Sequence, residues 1–160
     1  MPAKNHGVRA AKFYLADFLP FKLAVVTEAF VRVFAEEYEA VCDLTIPEFR
    51  ALAVVAEFGT LSPTAVGQHT AMDKVKVSRA AQSLVAKGLL RQDPDPSDGR
   101  GRLLRLTRKG TSTHARLVPL AAELEADVFG NLSPADIASL GRILAKITTR
   151  VETIRDGAAG

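Results

Sequence analysis

The chain has 160 residues, 48% of them hydrophobic, and a formal net charge of +3 at pH 7. This length and apolar content suit one domain with one core, and the sequence has no apolar run long enough to predict a membrane span. A single cysteine excludes an intrachain disulfide framework, and the N-terminus lacks the pattern of a signal peptide, so we expect a cytoplasmic protein.

The first long helix is predicted to be covered on two sides. Residues 1–19 are expected to form an arm, and Pro20 suits the first turn of a helix that continues to about Cys42, where its missing N–H is no loss. Apolar residues recur on more than one stripe of this helix, which a small domain cannot bury by itself. We therefore expect a second subunit to cover the remaining side.

Two shorter helices follow, each with its own start signal. Thr45 has Glu48 three residues on, which is the pattern of a capping box, and the helix it begins is expected to end at Phe58, just before a glycine. Ser62 precedes a proline and is expected to cap a short helix that ends at about Gln68.

A further helix and a hairpin complete this part of the chain. Asp73 is expected to cap the helix, which we name the reading helix and which ends near Gly88, where a left-handed terminus is easy. Strands are predicted at residues 89–92 and 102–106. Residues 93–101 between them are rich in turn-forming residues and are expected to form the connecting loop.

Two more helices are predicted at the end of the chain. Thr107 is expected to cap a long helix that Pro119 kinks, and residues 131–136 contain a second capping box before a last helix to about Arg155. The expected fold is mainly α-helical with a small β-hairpin wing. Within one domain, 1–160, we assign a helical dimerisation platform to residues 20–44 and 111–155, and a winged helix-turn-helix lobe to residues 45–110.

The basic residues are concentrated in this lobe. Residues 45–110 hold 11 Lys/Arg and 6 Asp/Glu, whereas the rest of the chain holds 10 and 12. Apolar positions recur at helical spacing on the reading helix and leave a basic face opposite them. A basic helix beside a basic hairpin fits duplex DNA, with the helix in the major groove and the hairpin at the neighbouring backbone. An ordinary solvated surface is the alternative.

Three motifs carry a family resemblance. The first is Asp73-Lys74-x-x-Val77-Ser78-Arg79, the second is Leu84-x-x-Lys87-Gly88-Leu89-Leu90-x-Arg91, and the third is Asp98-x-Arg100 followed by Leu106-Thr107-x-x-Gly110. Together they are highly specific, and from about Pro20 to Ile154 the chain resembles the MarR (multiple antibiotic resistance regulator) family of winged helix-turn-helix repressors. The resemblance implies a homodimer on a pseudo-palindromic operator in double-stranded DNA. One departure is Gly99, where many family members carry an arginine.

Eight residues are predicted to contact DNA. Arg79 is the residue expected to hydrogen-bond a guanine bidentately, and the other donors serve phosphates and base edges. The resemblance implies that Asp98 orients Arg100 at the wing tip in the minor groove; a flexible, solvated turn is the alternative. The predicted contacts are Thr64, Lys74, Lys76, Ser78, Arg79, Gln82, Arg100 and Arg102.

Aromatic and basic residues also cluster near the N-terminal arm. In the resembled family, small effectors such as aromatic carboxylates, phenols or related thioesters bind between the platform and the lobe, and an aromatic and basic cluster suits such a ligand. We therefore predict a repressor released by an aromatic acid-like or thioester effector; the alternative is that these aromatic residues pack the dimer. The residues concerned are Arg9, Phe13, Tyr14, Phe18, Phe21 and Lys22.

Other functions have less support in the sequence. Cys42 allows a redox-sensing regulator, but no basic neighbour obviously lowers the pKa of its thiol, so a buried structural cysteine is favoured. A winged-helix adaptor that binds protein needs a more apolar face than the basic one found here. Because no nucleophile–base pair, cofactor motif or metal-ligand spacing is present, we expect no enzyme activity, no cofactor and no metal site.

Overall fold

Six α-helices and one β-hairpin make up residues 13–157, the part of the chain that the structure, a computed structural model, describes apart from the side chains at positions 99 and 100. This architecture confirms the mainly α-helical winged helix-turn-helix fold. A short 3₁₀ helix, Leu15–Asp17, precedes the first α-helix. The elements are α1 (Leu19–Cys42), α2 (Ile46–Phe58), α3 (Pro63–Thr70), α4 (Lys74–Ala86), β1 (Leu90–Asp95), β2 (Asp98–Leu106), α5 (Arg108–Phe129) and α6 (Pro134–Gly157).

Side-chain caps confirm the predicted helix starts. The Thr45 backbone N–H donates to the Glu48 carboxylate at 2.7 Å, and the Thr45 hydroxyl oxygen accepts from the Glu48 N–H, which completes the capping box of α2. Asp73 Oδ1 accepts from the Lys76 N–H at 2.8 Å at the start of α4, and Thr107 caps α5 in the same way. Each cap satisfies an amide that the helix itself leaves without a partner.

The wing is longer than the sequence predicted. The two strands pair from Leu90 opposite Leu106 to Asp95 opposite Asp98, so most of residues 93–101, expected to be a loop, lie in strands. Pro94 is tolerated within β1 because β1 is an edge strand; the other side of β2 pairs with Leu61 instead. The turn is tight and is closed by Asp95, whose carboxylate accepts hydrogen bonds from the backbone and hydroxyl of Ser97 at 2.9 and 2.6 Å.

The base of the wing is fastened to the first turn of α5. The Thr107 hydroxyl donates to the Gly88 carbonyl at 2.7 Å, and its backbone N–H donates to the Leu89 carbonyl at 3.0 Å. Gly110 lies so close to the strand that a Cβ at this position would overlap the Leu89 carbonyl oxygen. Glycine at this position therefore allows the backbones of α5 and the strand to touch.

Most of the hydrophobic core comes from residues 45–110, and α1, α5 and Leu44 contribute the rest. Leu52 of α2, Val66 of α3, Leu84 of α4 and Leu104 of β2 are all fully buried, and Leu117 of α5 closes the core from the side of the platform. Full burial of one such side chain stabilises the fold by about 1.5–3 kcal/mol. These contacts fix α4 and the wing relative to α2.

The helices assigned to the platform, in contrast, leave apolar residues in solvent. Within the described chain, α6 buries none of its residues, and Val151 and Ile154 are 58% and 56% exposed. Helix α1 buries only Tyr38. No helix within residues 13–157 is long and apolar enough to cross a lipid bilayer. Apolar surfaces of this extent on helices mark sites of interaction.

Candidate nucleic-acid interface

An open groove runs along α3 and α4 of the lobe, and Glu152 and Arg155 of α6 are among its lining residues. It has a volume of about 1240 Å³, and Gln92 of β1 also lines it. Half of the eight predicted DNA contacts lie along this groove; they are Thr64, Lys74, Ser78 and Gln82. The fold therefore brings together residues that are up to 18 positions apart in the sequence.

The start of α3 directs one of these residues outward. Ser62 is the cap of α3, with its hydroxyl oxygen 3.2 Å from the Ala65 N–H, so the capping role predicted for it is confirmed. Pro63 occupies the first position of the helix, and Thr64 follows it with an exposed side chain. A hydroxyl beside the free amides of a helix N-terminus suits a phosphate oxygen.

The two faces of α4 differ as the helical spacing predicted. Val77 and Leu84 are buried in the core, whereas Lys76 and Arg79 are exposed on the opposite side. Val85 is apolar but is an exception to this division: it is 38% exposed and lines the groove, because it lies at the margin of the buried stripe. The outward face of α4 is therefore basic at its centre and has an apolar border.

The exposed side chains of α4 are only weakly engaged within the chain. Lys76 Nζ lies 3.7 Å from Asp73 Oδ2, with both side chains more than half exposed, and Gln82 Nε2 lies 3.4 Å from Ser78 Oγ. A hydrogen bond from the Lys76 backbone N–H lowers the pKa of Asp73, so this cap stays ionised. Arg79 forms no ion pair or hydrogen bond with the residues that the structure describes. Exposed pairs of this kind contribute little to stability, so these donors can readily exchange their partners within the chain for groups on DNA.

The structure describes the predicted DNA-contacting residues of the wing only in part. Arg102 is exposed on β2, opposite Pro94 of β1. Asp98 begins β2 at the turn, and it has an interaction partner. The backbone of Arg100 lies in β2, but its side chain falls outside the described residues, so the predicted Asp98–Arg100 pair stays a prediction.

Sequence reasoning missed a second basic feature of the wing. The strand register places Arg91 directly opposite Arg105, which brings two like charges together. Asp93 Oδ2 lies between them, 3.4 Å from Arg91 Nε and 3.5 Å from Arg105 Nε. The aspartate offsets a repulsion that would otherwise destabilise the pairing of the strands. Only the register reveals this cluster, because 14 positions separate the two arginines in the sequence.

A smaller cavity lies between α1, α2 and α5. Its volume is about 290 Å³, and its walls are mostly aromatic, with the rings of Tyr38 and Phe49 stacked at 4.2 Å. Burial raises the pKa of Tyr38, which keeps its phenol neutral. Arg50 is the one charged residue among those that line the cavity in the described chain. The lining residues are Phe30, Val31, Phe34, Tyr38, Ile46, Phe49, Arg50 and Phe129.

The aromatic residues predicted to bind an effector lie elsewhere. Phe13 and Phe18 meet edge to face with ring centroids 5.4 Å apart, and both are exposed, as are Tyr14 and Phe21. Lys22 Nζ is 3.9 Å from Asp17 Oδ1, in a solvent-exposed pair. The remaining member, Arg9, lies outside the described residues. None of the five described residues lines the 290 Å³ cavity, so the sequence-predicted site stays a prediction beside a second, structurally defined candidate.

The residues considered for redox or metal chemistry are not clustered. Cys42 is half-buried at the end of α1, where it packs against the core. Among residues 13–157, no three His, Cys, Asp or Glu side chains lie close enough together to hold a metal ion.

Known proteins match this chain over the lobe and beyond it. The model of the MarR family matches residues 43–101. The HTH-type transcriptional repressor IacR of Pseudomonas putida is 25% identical over 150 residues, which cover 94% of this chain and 89% of IacR. The multiple antibiotic resistance protein MarR of Escherichia coli is 27% identical over 112 residues, which cover 69% of this chain and 78% of that protein.

The same family appears among solved structures. BpsR of Bordetella bronchiseptica, whose DNA binding is regulated by 6-hydroxynicotinic acid, superimposes with a TM-score of 0.75 at 28% identity, over 81% of this chain and 98% of BpsR. A MarR family transcriptional regulator of Silicibacter pomeroyi gives 0.73 at 28% identity, over 84% and 90%. The basic reading face, the wing and these similarities agree. Residues 43–101 thus match the MarR family, and over most of its length the chain is similar to transcriptional regulators that include members of that family.

Proposed function

We propose that the protein is a homodimeric repressor that reads a pseudo-palindromic operator and releases it when a small aromatic acid binds between platform and lobe. The observation that carries the DNA part is the groove beside α4. There Lys74, Ser78 and Gln82 line one surface, and Arg79 projects from the same helix without a partner among the described residues. Donors in this arrangement suit the edges of bases in a major groove.

The remaining contacts follow from how a winged lobe docks. With α4 in the major groove, Thr64 at the start of α3 and Lys76 on α4 are placed for phosphates, which fix the register of the protein on the duplex. The wing then reaches the neighbouring minor groove with Arg100 and Arg102. Residues 45–110 form this DNA-binding lobe, and they supply most of the hydrophobic core that supports it.

A dimer is supported by the exposed apolar helices. The outer faces of α1 and α6 carry large side chains that residues 13–157 leave in solvent, and a second copy of the chain offers the same faces for mutual burial. Segments 20–44 and 111–155 form this platform. A two-fold axis through the platform would place the two α4 helices one turn of DNA apart, about 34–36 Å.

The cavity between α1, α2 and α5 is the better supported seat for an effector. Its volume of about 290 Å³ suits a single-ring molecule, since cavities for drug-sized ligands run from about 300 to 1,000 Å³. Aromatic walls fit a flat ring, and the Arg50 guanidinium fits a carboxylate. The 6-hydroxynicotinic acid that regulates DNA binding by BpsR is an aromatic carboxylic acid, which supports this class of ligand. The alternative seat is the N-terminal cluster of Phe13, Tyr14, Phe18 and Phe21.

The DNA-binding part can be tested with duplexes of equal length. Fluorescence anisotropy would compare a fragment from the protein's own promoter region with a scrambled fragment of the same composition. We expect the promoter fragment to bind about 10³-fold or more tightly at physiological salt. We also expect its affinity to fall by about 10³–10⁵ between 50 and 200 mM salt, because the dimer neutralises several phosphates. Equal affinity for both fragments would contradict the proposal.

The effector seat can be tested with two matched variants. Arg50→Gln and Lys22→Gln each remove one cation, the first at the cavity and the second at the N-terminal cluster. A panel of single-ring aromatic acids, including 6-hydroxynicotinate, would be ranked by thermal shift and then titrated with and without operator. If the cavity is the seat, Arg50→Gln weakens binding of the best acid and Lys22→Gln does not; the reverse pattern assigns the N-terminal cluster. Linkage requires that operator DNA lower the affinity for the acid by the same factor by which the acid lowers the affinity for operator DNA.

A further inference from the structure

The carboxyl end of α4 is tied to two other helices by charges that the DNA contacts do not use. Lys87 follows the last residue of α4, and its Nζ lies 3.2 Å from Glu48 Oε2 in the first turn of α2. The same ammonium lies 3.5 Å from Asp43 Oδ2 and donates to the Asp43 backbone carbonyl just after α1. We name these three residues the Lys87 junction; it joins the ends of α1 and α4 to the start of α2.

Glu48 is the buried partner in this junction. Its side chain is only 5% exposed, and a buried carboxylate is unfavourable unless it is paired and hydrogen-bonded. Burial raises the pKa of Glu48, but hydrogen bonds from Ser83 of α4, from the backbone and side chain of Thr45, and from Lys87 outweigh burial and lower it. The carboxylate is therefore ionised at neutral pH and receives donors from both α2 and α4.

Asp43 has a weaker part in the junction. Its side chain is 87% exposed, so its ion pair with Lys87 is screened by solvent. Its backbone is more constrained: Asp43 adopts a left-handed conformation, with φ of +52°, and its carbonyl accepts from Lys87. The Glu48–Lys87 pair is consequently the contact that fixes the end of α4, with the Asp43 carbonyl as a second anchor.

Charged hydrogen bonds constrain α4 differently from its apolar contacts. Val77 and Leu84 hold α4 against the core, but apolar packing has no directional preference. An ammonium–carboxylate hydrogen bond is directional and weakens steeply when its angle changes. A third helix adds to the restraint, since Lys109 Nζ of α5 donates to the Lys87 carbonyl at 2.8 Å. Rotation of α4 about its axis would break these bonds and would also move Arg79, which lies two turns earlier.

We infer that Lys87 and Glu48 are positioning residues that set the angle at which α4 presents Arg79 to the operator. The inference rests on the proposed role of α4 as the reading helix. Lys87 does not act as a general attraction for phosphate, because it is largely buried, is paired with two carboxylates, and lies at the opposite end of α4 from Lys74.

Two substitutions of opposite charge separate positioning from simple electrostatics. Lys87→Met removes a positive charge and Glu48→Gln removes a negative one, so a general charge effect would shift DNA affinity in opposite directions. Positioning requires both variants to lose discrimination between the promoter fragment and its scrambled control. We expect a loss of about 5- to 100-fold, the value of one well-placed base contact. Affinity for the scrambled duplex should stay within about twofold, because phosphate attraction does not need one helix angle.

Three further variants complete the test. Lys146→Met makes the same charge change as Lys87→Met at an exposed lysine of α6 outside the junction, and it should keep the parent's discrimination. Lys87→Arg keeps the charge and should retain most of the discrimination between the promoter fragment and the scrambled fragment. The double variant Glu48→Gln/Lys87→Met should lose less than the sum of the two single losses, because each single variant already breaks the same pair.

The outcomes distinguish this inference from the proposed function. A parent protein that binds both fragments equally contradicts the reading role of α4, and the inference fails with it. If the parent discriminates and Lys87→Met and Glu48→Gln discriminate equally well, the inference alone is overturned. Circular dichroism and a thermal melt check that each variant is folded; if Glu48→Gln does not fold, the comparison of Lys87→Met with Lys146→Met and Lys87→Arg decides the question.

Discussion

The DNA-binding lobe and the helical platform differ in where they bury apolar residues. The lobe encloses fully buried side chains from α2, α3, α4 and the wing, whereas α6 buries none within the described chain. The lobe thus rests on a core that α1 and α5 help to close, while α6 depends on a surface that another subunit would provide. A regulator built in this way can keep the reading lobes rigid and still change the distance between them.

Substitutions that prevent dimerisation should have the largest effect on operator affinity. We expect Ile147→Asp/Val151→Asp to prevent dimerisation, since two carboxylates would have to be buried in an apolar interface. Operator affinity should then fall by about 10²–10⁴, the usual gain from linking two binding modules. Sedimentation velocity and anisotropy would measure both effects. A variant that stays dimeric would show that α6 is not part of the interface.

Two neighbouring residues of α4 allow a core position to be compared with a position at the border of the groove. Leu84 is fully buried and Val85 is 38% exposed. We expect Leu84→Ala to lower the free energy of unfolding by about 2–5 kcal/mol, whereas Val85→Ala should change it by less than about 1 kcal/mol. Urea unfolding of the two variants provides the measurement. Equal effects would mean that the exposed border of the groove is packed in the assembled protein.

Within the lobe, substitutions in the reading helix and in the wing should affect DNA binding in different ways. Arg79→Ala should weaken operator binding by about 1–3 kcal/mol per half-site and relax base preference there, as expected for a residue that reads a base edge. Arg102→Ala should weaken binding with less change in the preferred sequence, because wing contacts mainly position the protein. Selection from random duplexes separates the two variants. An unchanged consensus for Arg79→Ala would show that another residue reads that base.

The smallest effect, one on the pH dependence of thermal stability, is expected for Glu48 of the Lys87 junction. The pKa of Glu48 is lowered in the folded protein, so its ionised form stabilises the fold above its unfolded pKa. This contribution is lost as the pH falls through the folded pKa, that is, below the ordinary value of 4.5. Melting temperatures from pH 6 to pH 3 should therefore fall less steeply for Glu48→Gln than for the parent. Identical slopes would mean that other carboxylates account for the acid sensitivity.

Local signals in the sequence were sufficient to predict the helices and strands and the basic face of the reading helix. Thr45, Asp73 and Thr107 act as caps because a cap and its amide are only three residues apart. The wing was predicted too short because Pro94 and its neighbours are typical of turns; the edge position of β1, which allows the proline, is a property of the folded sheet.

Features that join distant segments could not be predicted in this way. Glu48 was recognised as part of a capping box, but its pair with Lys87 spans 39 positions of the sequence. The cavity combines residues of α1, α2 and α5, and no spacing within one helix indicates that Phe30, Phe49 and Phe129 face the same space. Burial of a charge and enclosure of a volume are consequences of tertiary packing, which sequence periodicity does not contain.

The close approach of Gly110 to Leu89 makes the hairpin a stiff arm with a fixed pivot. The backbones of α5 and the strand touch there, so the base has no room to slide. From Leu90 to Asp95, β1 extends about 17 Å at the usual strand rise of ~3.3 Å per residue. A change of about 10° at the pivot would therefore carry the tip about 3 Å, close to the ~3.4 Å step between successive base pairs. A side chain larger than hydrogen at position 110 that tilted the hairpin by this angle would displace the tip of the wing by nearly one base-pair step.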